Sequence, residues 1–204
     1  MTKICRVYAI TDPKLMPGPL LLEKVEFALR AGIRTIQYRD KTASFSEKKR
    51  NALDLVELCR RYDSQLIIND DVELAYETKA HGVHLGQGDM DIRTAREKLD
   101  DGCIIGITCH DQLSLAKEAE KNGANYVAFG RFFPSNTKPE ASTAPLSLLT
   151  AATKLLHIPI VAIGGITPEN ASEIFKSGAN SVAVCHSLFA PENIKSEAEK
   201  LLAF

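Results

Sequence analysis

The chain has 204 residues, of which 25 are Lys or Arg and 26 Asp or Glu, for a formal net charge of −1. That length suits one large core and a single domain over residues 1–204, and the near-neutral balance leaves no global basic field of the kind that holds nucleic acid or an anionic membrane. Any anionic ligand has to be held locally, by a few placed groups.

Met1-Thr2-Lys3 leads into the first apolar strand, Arg6 to Ile10, with no hydrophobic signal segment between them. A helix is predicted over Leu20 to Ala31, a strand over Thr35 to Arg39, a helix over Ser46 to Tyr62 and a strand over Leu66 to Asn69. A brief helix, Val72 to Thr78, leads to a strand at Gly82 to Leu85. The helix Asp91 to Leu99 leads to the strand Ile104 to Cys109, and the helix Leu113 to Asn122 to the strand Tyr126 to Gly130. The second half closes with a helix at Leu146 to Leu156, a strand at Ile160 to Ile163, a helix at Asn170 to Ser177, a strand at Ser181 to Cys185 and a last helix near the C-terminus.

Strict alternation of eight strands with helices favours a parallel sheet. A weak repeat points the same way: Ala31-Gly32-Ile33, Ala80-His81-Gly82, Asn122-Gly123-Ala124 and Ser177-Gly178-Ala179 each end a helix just before an apolar strand. Glycine there is read as a helix C-cap. No G-x-G-x-x-G follows the first strand, so the expected fold is α/β, a single-domain eight-stranded parallel β/α (TIM) barrel rather than a doubly wound sheet.

The five cysteines, Cys5, Cys59, Cys103, Cys109 and Cys185, are odd in number and scattered without a C-x-x-C pair, which reads as buried free thiols. No stretch approaches the length of a membrane span. A cytoplasmic protein without a membrane or nucleic-acid partner is expected, and self-association as a homo-oligomer is left open.

Four polar clusters follow apolar strands: Gln37-Tyr38-Arg39-Asp40-Lys41, Ile68-Asn69-Asp70-Asp71, His84-Leu85-Gly86-Gln87-Gly88-Asp89, and Asn136-Thr137-Lys138. In a barrel they converge on the face where the strands end, which is where such folds bind ligands. Asp70 and Asp89 suit Mg²⁺, which takes one or two carboxylates plus phosphate oxygens and water. Arg39, Lys41 and Lys138 supply cations for the remaining oxygens, and a metal flanked by cations implies a diphosphate. Plainer readings stand beside these. Asp70-Asp71 could be a helix N-cap pair, His84 a hydrogen-bonded core histidine, and His110-Asp111 a turn with a helix cap. Gly164-Gly165, ahead of Thr167-Pro168 and a helix, is read as a phosphate loop, with a tight turn as the alternative. A second phosphate site implies a second substrate.

The chain resembles the thiamine-phosphate synthase family over nearly its whole length, from Tyr8-Ala9-Ile10-Thr11-Asp12 to the eighth strand. The resemblance rests on Gln37 to Lys41, Ile68-Asn69-Asp70, Gly82 to Asp89, Gly130 to Lys138, and Val161 to Ile166, in that order. It implies a transferase of thiamine biosynthesis that joins hydroxymethylpyrimidine diphosphate to hydroxyethylthiazole phosphate, its two small phosphorylated substrates, with Mg²⁺ as cofactor. On that resemblance Gln37, Arg39, Lys41, Asn69, Thr108 and Lys138 would hold the pyrimidine diphosphate, and Asp70 and Asp89 its Mg²⁺. Ser135, Asn136, Thr137, Gly165, Cys185 and His186 would hold the thiazole phosphate. Arg39, Lys41 and Lys138 would stabilise charge on the departing diphosphate. The family usually has Ser at the position of Thr108 and Val-Ser at that of Cys185-His186. Two other readings stay open: a thiazole tautomerase-like barrel using Asp40 or His110 as acid or base, and a non-catalytic barrel that binds a phosphorylated ligand and regulates a partner.

Overall fold

The computed structural model describes residues 4–134 and 143–204. Eight strands form the inner wall: β1 (Val7–Ile10), β2 (Thr35–Tyr38), β3 (Gln65–Asn69), β4 (Gly82–Leu85), β5 (Ile104–Thr108), β6 (Tyr126–Gly130), β7 (Ile160–Ile163) and β8 (Ser181–Val184). All pair in parallel and in sequence order, and β8 returns to β1 with Val182 opposite Val7, so the sheet is a closed barrel. Between them run α1 (Leu20–Arg30), α2 (Phe45–Arg61), α3 (Val72–Thr78), α4 (Ile92–Lys98), α5 (Leu113–Lys121), α6 (Ser147–Thr153) and α7 (Ala171–Lys176). The short α8 (His186–Phe189) and α9 (Ile194–Leu202) follow β8. The expected barrel is the fold.

The strands are apolar throughout because both faces are covered, as parallel sheets require. Alternation splits their side chains into two layers. Val7, Ile36, Leu66, Ile68, Val83, Ile105, Val127, Ala162 and Val182 face outward into one cluster with the buried helix faces. Tyr8, Ile67, Ile104, Tyr126, Val161 and Ala183 face inward and fill the barrel. Gly106 makes the inner layer possible. It pairs with His84 on one side and Tyr126 on the other, and a Cβ at this position would stand 1.9 Å from Tyr126 Cζ.

Local chemistry sets several helix starts. Ser44 and Glu47 form a reciprocal capping box ahead of α2, while Asp71, Asp91 and Asn193 cap α3, α4 and α9 through their side chains. Gly32, Gly123 and Gly178 take positive φ of 108°, 93° and 113° after their helices, as the repeat predicts. The repeat fails at Gly82. Lys79 takes the left-handed cap of α3 at φ 53°, and Gly82 opens β4, where a Cβ would meet Ile104 O at 2.3 Å.

Other boundaries differ by a residue or two, and α6 is shorter than the predicted Leu146 to Leu156. The turn of α8 is not predicted. His110 and Asp111 form the expected turn, but the N-cap of α5 is Gln112 and makes no side-chain cap bond. All five cysteines are free thiols, with Cys59 and Cys109 buried and the others half-buried. Among the described residues no helix is long and apolar enough to cross a membrane.

Asp71→Ala should lower unfolding free energy by about 1 kcal/mol through loss of the cap on Leu74 N, measured by urea denaturation. Gly106→Ala should cost about 1–3 kcal/mol, because the added methyl has to displace the fully buried Tyr126 ring. Near-UV circular dichroism should report the moved tyrosine, and an unchanged spectrum and stability would refute this account of the inner layer.

Candidate active site

A cavity of about 390 Å³ opens at the C-terminal ends of the strands. Its floor is a run of hydrogen bonds across the barrel interior. Gln37 Nε2 donates to Tyr8 Oη at 2.8 Å, the Tyr8 and Tyr126 hydroxyls meet at 2.8 Å, and Tyr126 Oη lies 2.8 Å from His84 Nδ1. His84 Nε2 lies 2.8 Å from Thr108 Oγ1. Burial pushes both phenols above their ordinary pKa, so each hydroxyl keeps its proton. The Tyr126 ring stacks on His84 with centroids 5.5 Å apart. Of the floor groups, Gln37 and Thr108 are expected from the sequence, and His84 is the hydrogen-bonded core histidine of its plainer reading. The sequence marks Tyr8 and Tyr126 only as residues of apolar strands.

Arg39 and Asn69 line the cavity above this floor. Thr11 fixes the Arg39 backbone by accepting from its N–H at 2.9 Å. Asp70, Asp89 and Lys41 sit on the adjoining loops, outside the cavity wall proper. Asp70 takes φ 63°, in the left-handed region, and its Oδ2 is 3.2 Å from Lys41 Nζ. Asp71 turns the other way and caps α3. The helix-cap reading therefore holds for Asp71 and not for Asp70.

Asp89 Oδ2 accepts from Gly86 N at 2.7 Å. Partial burial pushes the Asp89 carboxyl up, and the facing Asp70 carboxylate adds to that, against the Gly86 bond and the Lys41 charge. Two like-charged oxygen donors held together in this way suit a hard divalent cation that takes its other ligands from water and substrate. Among the described residues no cluster of three or more His, Cys, Asp or Glu offers an all-protein metal cage.

Across the barrel, Gly164, Gly165, Cys185 and His186 line the wall opposite β3 and β4. Gly164 and Gly165 adopt φ 103° and 64°. A Cβ on Gly164 would lie 2.2 Å from Arg131 Cβ, and one on Gly165 would lie 2.3 Å from Pro134 O. Both glycines thus let the loop after β7 pack on the segment after β6. Asn170 braces this loop, accepting from Thr167 N at 2.9 Å and donating to Gly165 O at 3.0 Å. Ser187 Oγ ties α8 to it through Ile166 O at 2.7 Å. Burial pushes the Cys185 thiol up to about 12, with Asp12 reinforcing the shift, so the group stays a neutral thiol.

Ser135, Asn136, Thr137 and Lys138 lie outside the described residues. Of the remaining expected binding groups, Gln37, Arg39, Asn69, Thr108, Gly165, Cys185 and His186 line this cavity, while Lys41 stands on the loop beside it, paired with Asp70.

The sequence from residue 7 to 188 matches the family described as thiamine monophosphate synthase. The chain is 53% identical over 197 residues to the thiamine-phosphate synthase of Saccharophagus degradans, an alignment covering 96% of this chain and 91% of that one. It is 48% identical to the thiamine-phosphate synthase of Alcanivorax borkumensis, with 97% and 92% covered. Among solved structures it is similar to the thiamine phosphate pyrophosphorylase from Pyrococcus furiosus, with a TM-score of 0.88 at 36% identity over 97% of this chain and 94% of that one. The chain belongs to the thiamine monophosphate synthase family.

Proposed function

We propose that this enzyme, a transferase, joins hydroxymethylpyrimidine diphosphate to hydroxyethylthiazole phosphate, giving thiamine phosphate and diphosphate. The observation that supports this best is the layout of the cavity at the strand ends. Directional hydrogen-bonding groups form its floor, a cation and carboxylate pair stand beside one wall, and a braced glycine loop forms the opposite wall. A flat heterocycle fits the first, a diphosphate the second and a separate phosphate the third.

On this reading Gln37 and Thr108 orient the pyrimidine, while Asn69, Arg39, Lys41 and Lys138 hold its diphosphate. Asp70 and Asp89 would hold Mg²⁺, which when bound supplies positive charge to the diphosphate oxygens. The reacting carbon is a CH₂ on an electron-rich aminopyrimidine, so the ring shares positive charge as the C–O bond breaks. Arg39, Lys41 and Lys138 stabilise the electrons that leave with the diphosphate. The thiazole nitrogen lone pair forms the new C–N bond, and Ser135, Asn136, Thr137, Gly165, Cys185 and His186 hold the thiazole phosphate so that this nitrogen lies in line. No proton moves at the forming bond, so the reaction needs no general base.

A tautomerase-like chemistry would need one. Of its two candidates, His110 lines the cavity, whereas Asp40 accepts from Thr42 N and Thr42 Oγ1 at 2.8 Å and from Ala43 N at 3.0 Å. Burial acts to raise this carboxyl, but those bonds outweigh it and hold Asp40 below its ordinary pKa. It braces its loop and lies outside the cavity, which makes it a poor base.

The deciding experiment incubates the protein with Mg²⁺ and both substrates, and again with each omitted. Thiamine phosphate should form only in the complete mixture, and a barrel that merely binds its ligands would form none. Excess EDTA should abolish turnover and added Mg²⁺ restore it. Asp70→Ala and Asp89→Ala should each lose about a hundredfold or more in kcat/KM, on the scale of one deleted transition-state charge contact, while Asp71→Ala keeps near-full activity. Equal losses at all three would overturn the assignment of Asp70 and Asp89 to the metal. His186→Ser should change the thiazole phosphate KM and leave kcat nearly constant, because that phosphate is remote from the breaking bond. A collapse of kcat at unchanged KM would place His186 in the chemistry instead.

A further inference from the structure

We propose that Tyr8 and Tyr126 form a one-way hydrogen-bond chain that fixes the tautomer of His84, which in turn makes Thr108 a hydrogen-bond donor to the cavity. His84 is then a positioning residue that sets heterocycle specificity, an inference that rests on the proposed pyrimidine site for its functional part. The sense of the chain follows from counting hydrogens. Gln37 Nε2 donates to Tyr8 Oη, so the single Tyr8 proton has to go to its other partner, Tyr126 Oη. Tyr126 is fully buried and must then pass its own proton to His84 Nδ1. With Nδ1 accepting, the ring proton sits on Nε2 and is donated to Thr108 Oγ1. The Thr108 hydrogen is left to point elsewhere, and the threonine lines the cavity.

Reversing the chain would leave the Tyr8 proton without an acceptor unless the Gln37 amide also turned over. The two cavity-facing ends are therefore coupled. In the proposed sense, Gln37 keeps its carbonyl oxygen as an acceptor while Thr108 is a donor. That pair matches a ring carrying an amino group and an unprotonated ring nitrogen, and it mismatches the oxo analogue, whose ring N–H and carbonyl present the opposite pattern. Gly106 is integral to the device, since a Cβ there would overlap the Tyr126 ring and stand 2.4 Å from its hydroxyl oxygen.

The test is ¹⁵N NMR of histidine-labelled protein without substrates at pH 8, with the His84 signals assigned by long-range couplings and by their loss in His84→Gln. The wild type should show one tautomer, protonated at Nε2. In Tyr126→Phe, which keeps the ring but removes the relay, the His84 nitrogens should average between tautomers. The same variant should raise the pyrimidine diphosphate KM about tenfold, the worth of roughly one neutral hydrogen bond. It should also narrow the preference for the amino ring over the oxo ring in binding competition. A wild-type ring protonated at Nδ1 overturns the proposal without any variant. So does a Tyr126→Phe protein that keeps the pure Nε2 tautomer and an unchanged ring preference. If the tautomer result holds but no thiamine phosphate forms, the proposed reaction fails and the relay stands.

Discussion

Parallel closure is the constraint on which this molecule depends. Because all eight strands run the same way and β8 pairs with β1, every strand ends on one face, and residues far apart in sequence meet there. The pairing register sets their heights. Gln37 is level with Ile10, Asn69 with His84, His84 with Gly106, and Thr108 with Ala128. A barrel of this size has no room for water-filled slack, so its interior has to be packed or hydrogen-bonded. The lower interior is packed with Ile67 and Ile104, and the level above is hydrogen-bonded through Tyr8, Tyr126 and His84. The change from packing to polar pairing marks where the cavity begins.

The strands were legible because burial on both faces makes each one a short continuous apolar run. Their ends were less so. Arg39, Cys109 and Cys185 follow directly on paired residues, and nothing in their chemistry marks the last ladder bond. Glycine was ambiguous for a physical reason: a helix cap and a strand position with no room for a side chain both demand it. Gly32, Gly123 and Gly178, at positive φ, are the first kind and Gly82 is the second, with Lys79 taking the cap torsion in its place. The four residues of α8 carry no helical period and could not have been read.

Legibility in the site divides along similar lines. Rim residues such as Arg39, Asn69 and Gly165 stand out as polar or glycine positions following apolar strands. The floor is hidden, because a tyrosine inside a strand reads as ordinary core, and the bond between Tyr8 and Tyr126 spans 118 positions. A usable signal existed in the inward alternation of β1 and β6, which places a hydroxyl-bearing ring where an aliphatic residue would pack as well. The need for a partner for that hydroxyl then points to the histidine and the threonine on the strands between.

The loops after β3 and β4 contain what folding alone would avoid. Asp70 occupies a left-handed conformation that an L-residue enters at some cost, though aspartate is among the side chains that tolerate it best. That torsion turns its carboxylate away from the helix that Asp71 caps and toward Lys41 and Asp89. There it faces a second negative group, so the backbone strain is compounded by repulsion. Lys41 relieves part of it, but its side chain is 60% exposed and water screens the contact. Strain and like-charge pairing placed together at the mouth of a cavity make sense where a ligand of opposite charge offsets both. Asp71, one residue away, carries neither burden, and two adjacent aspartates are thereby separated into a structural group and a functional candidate.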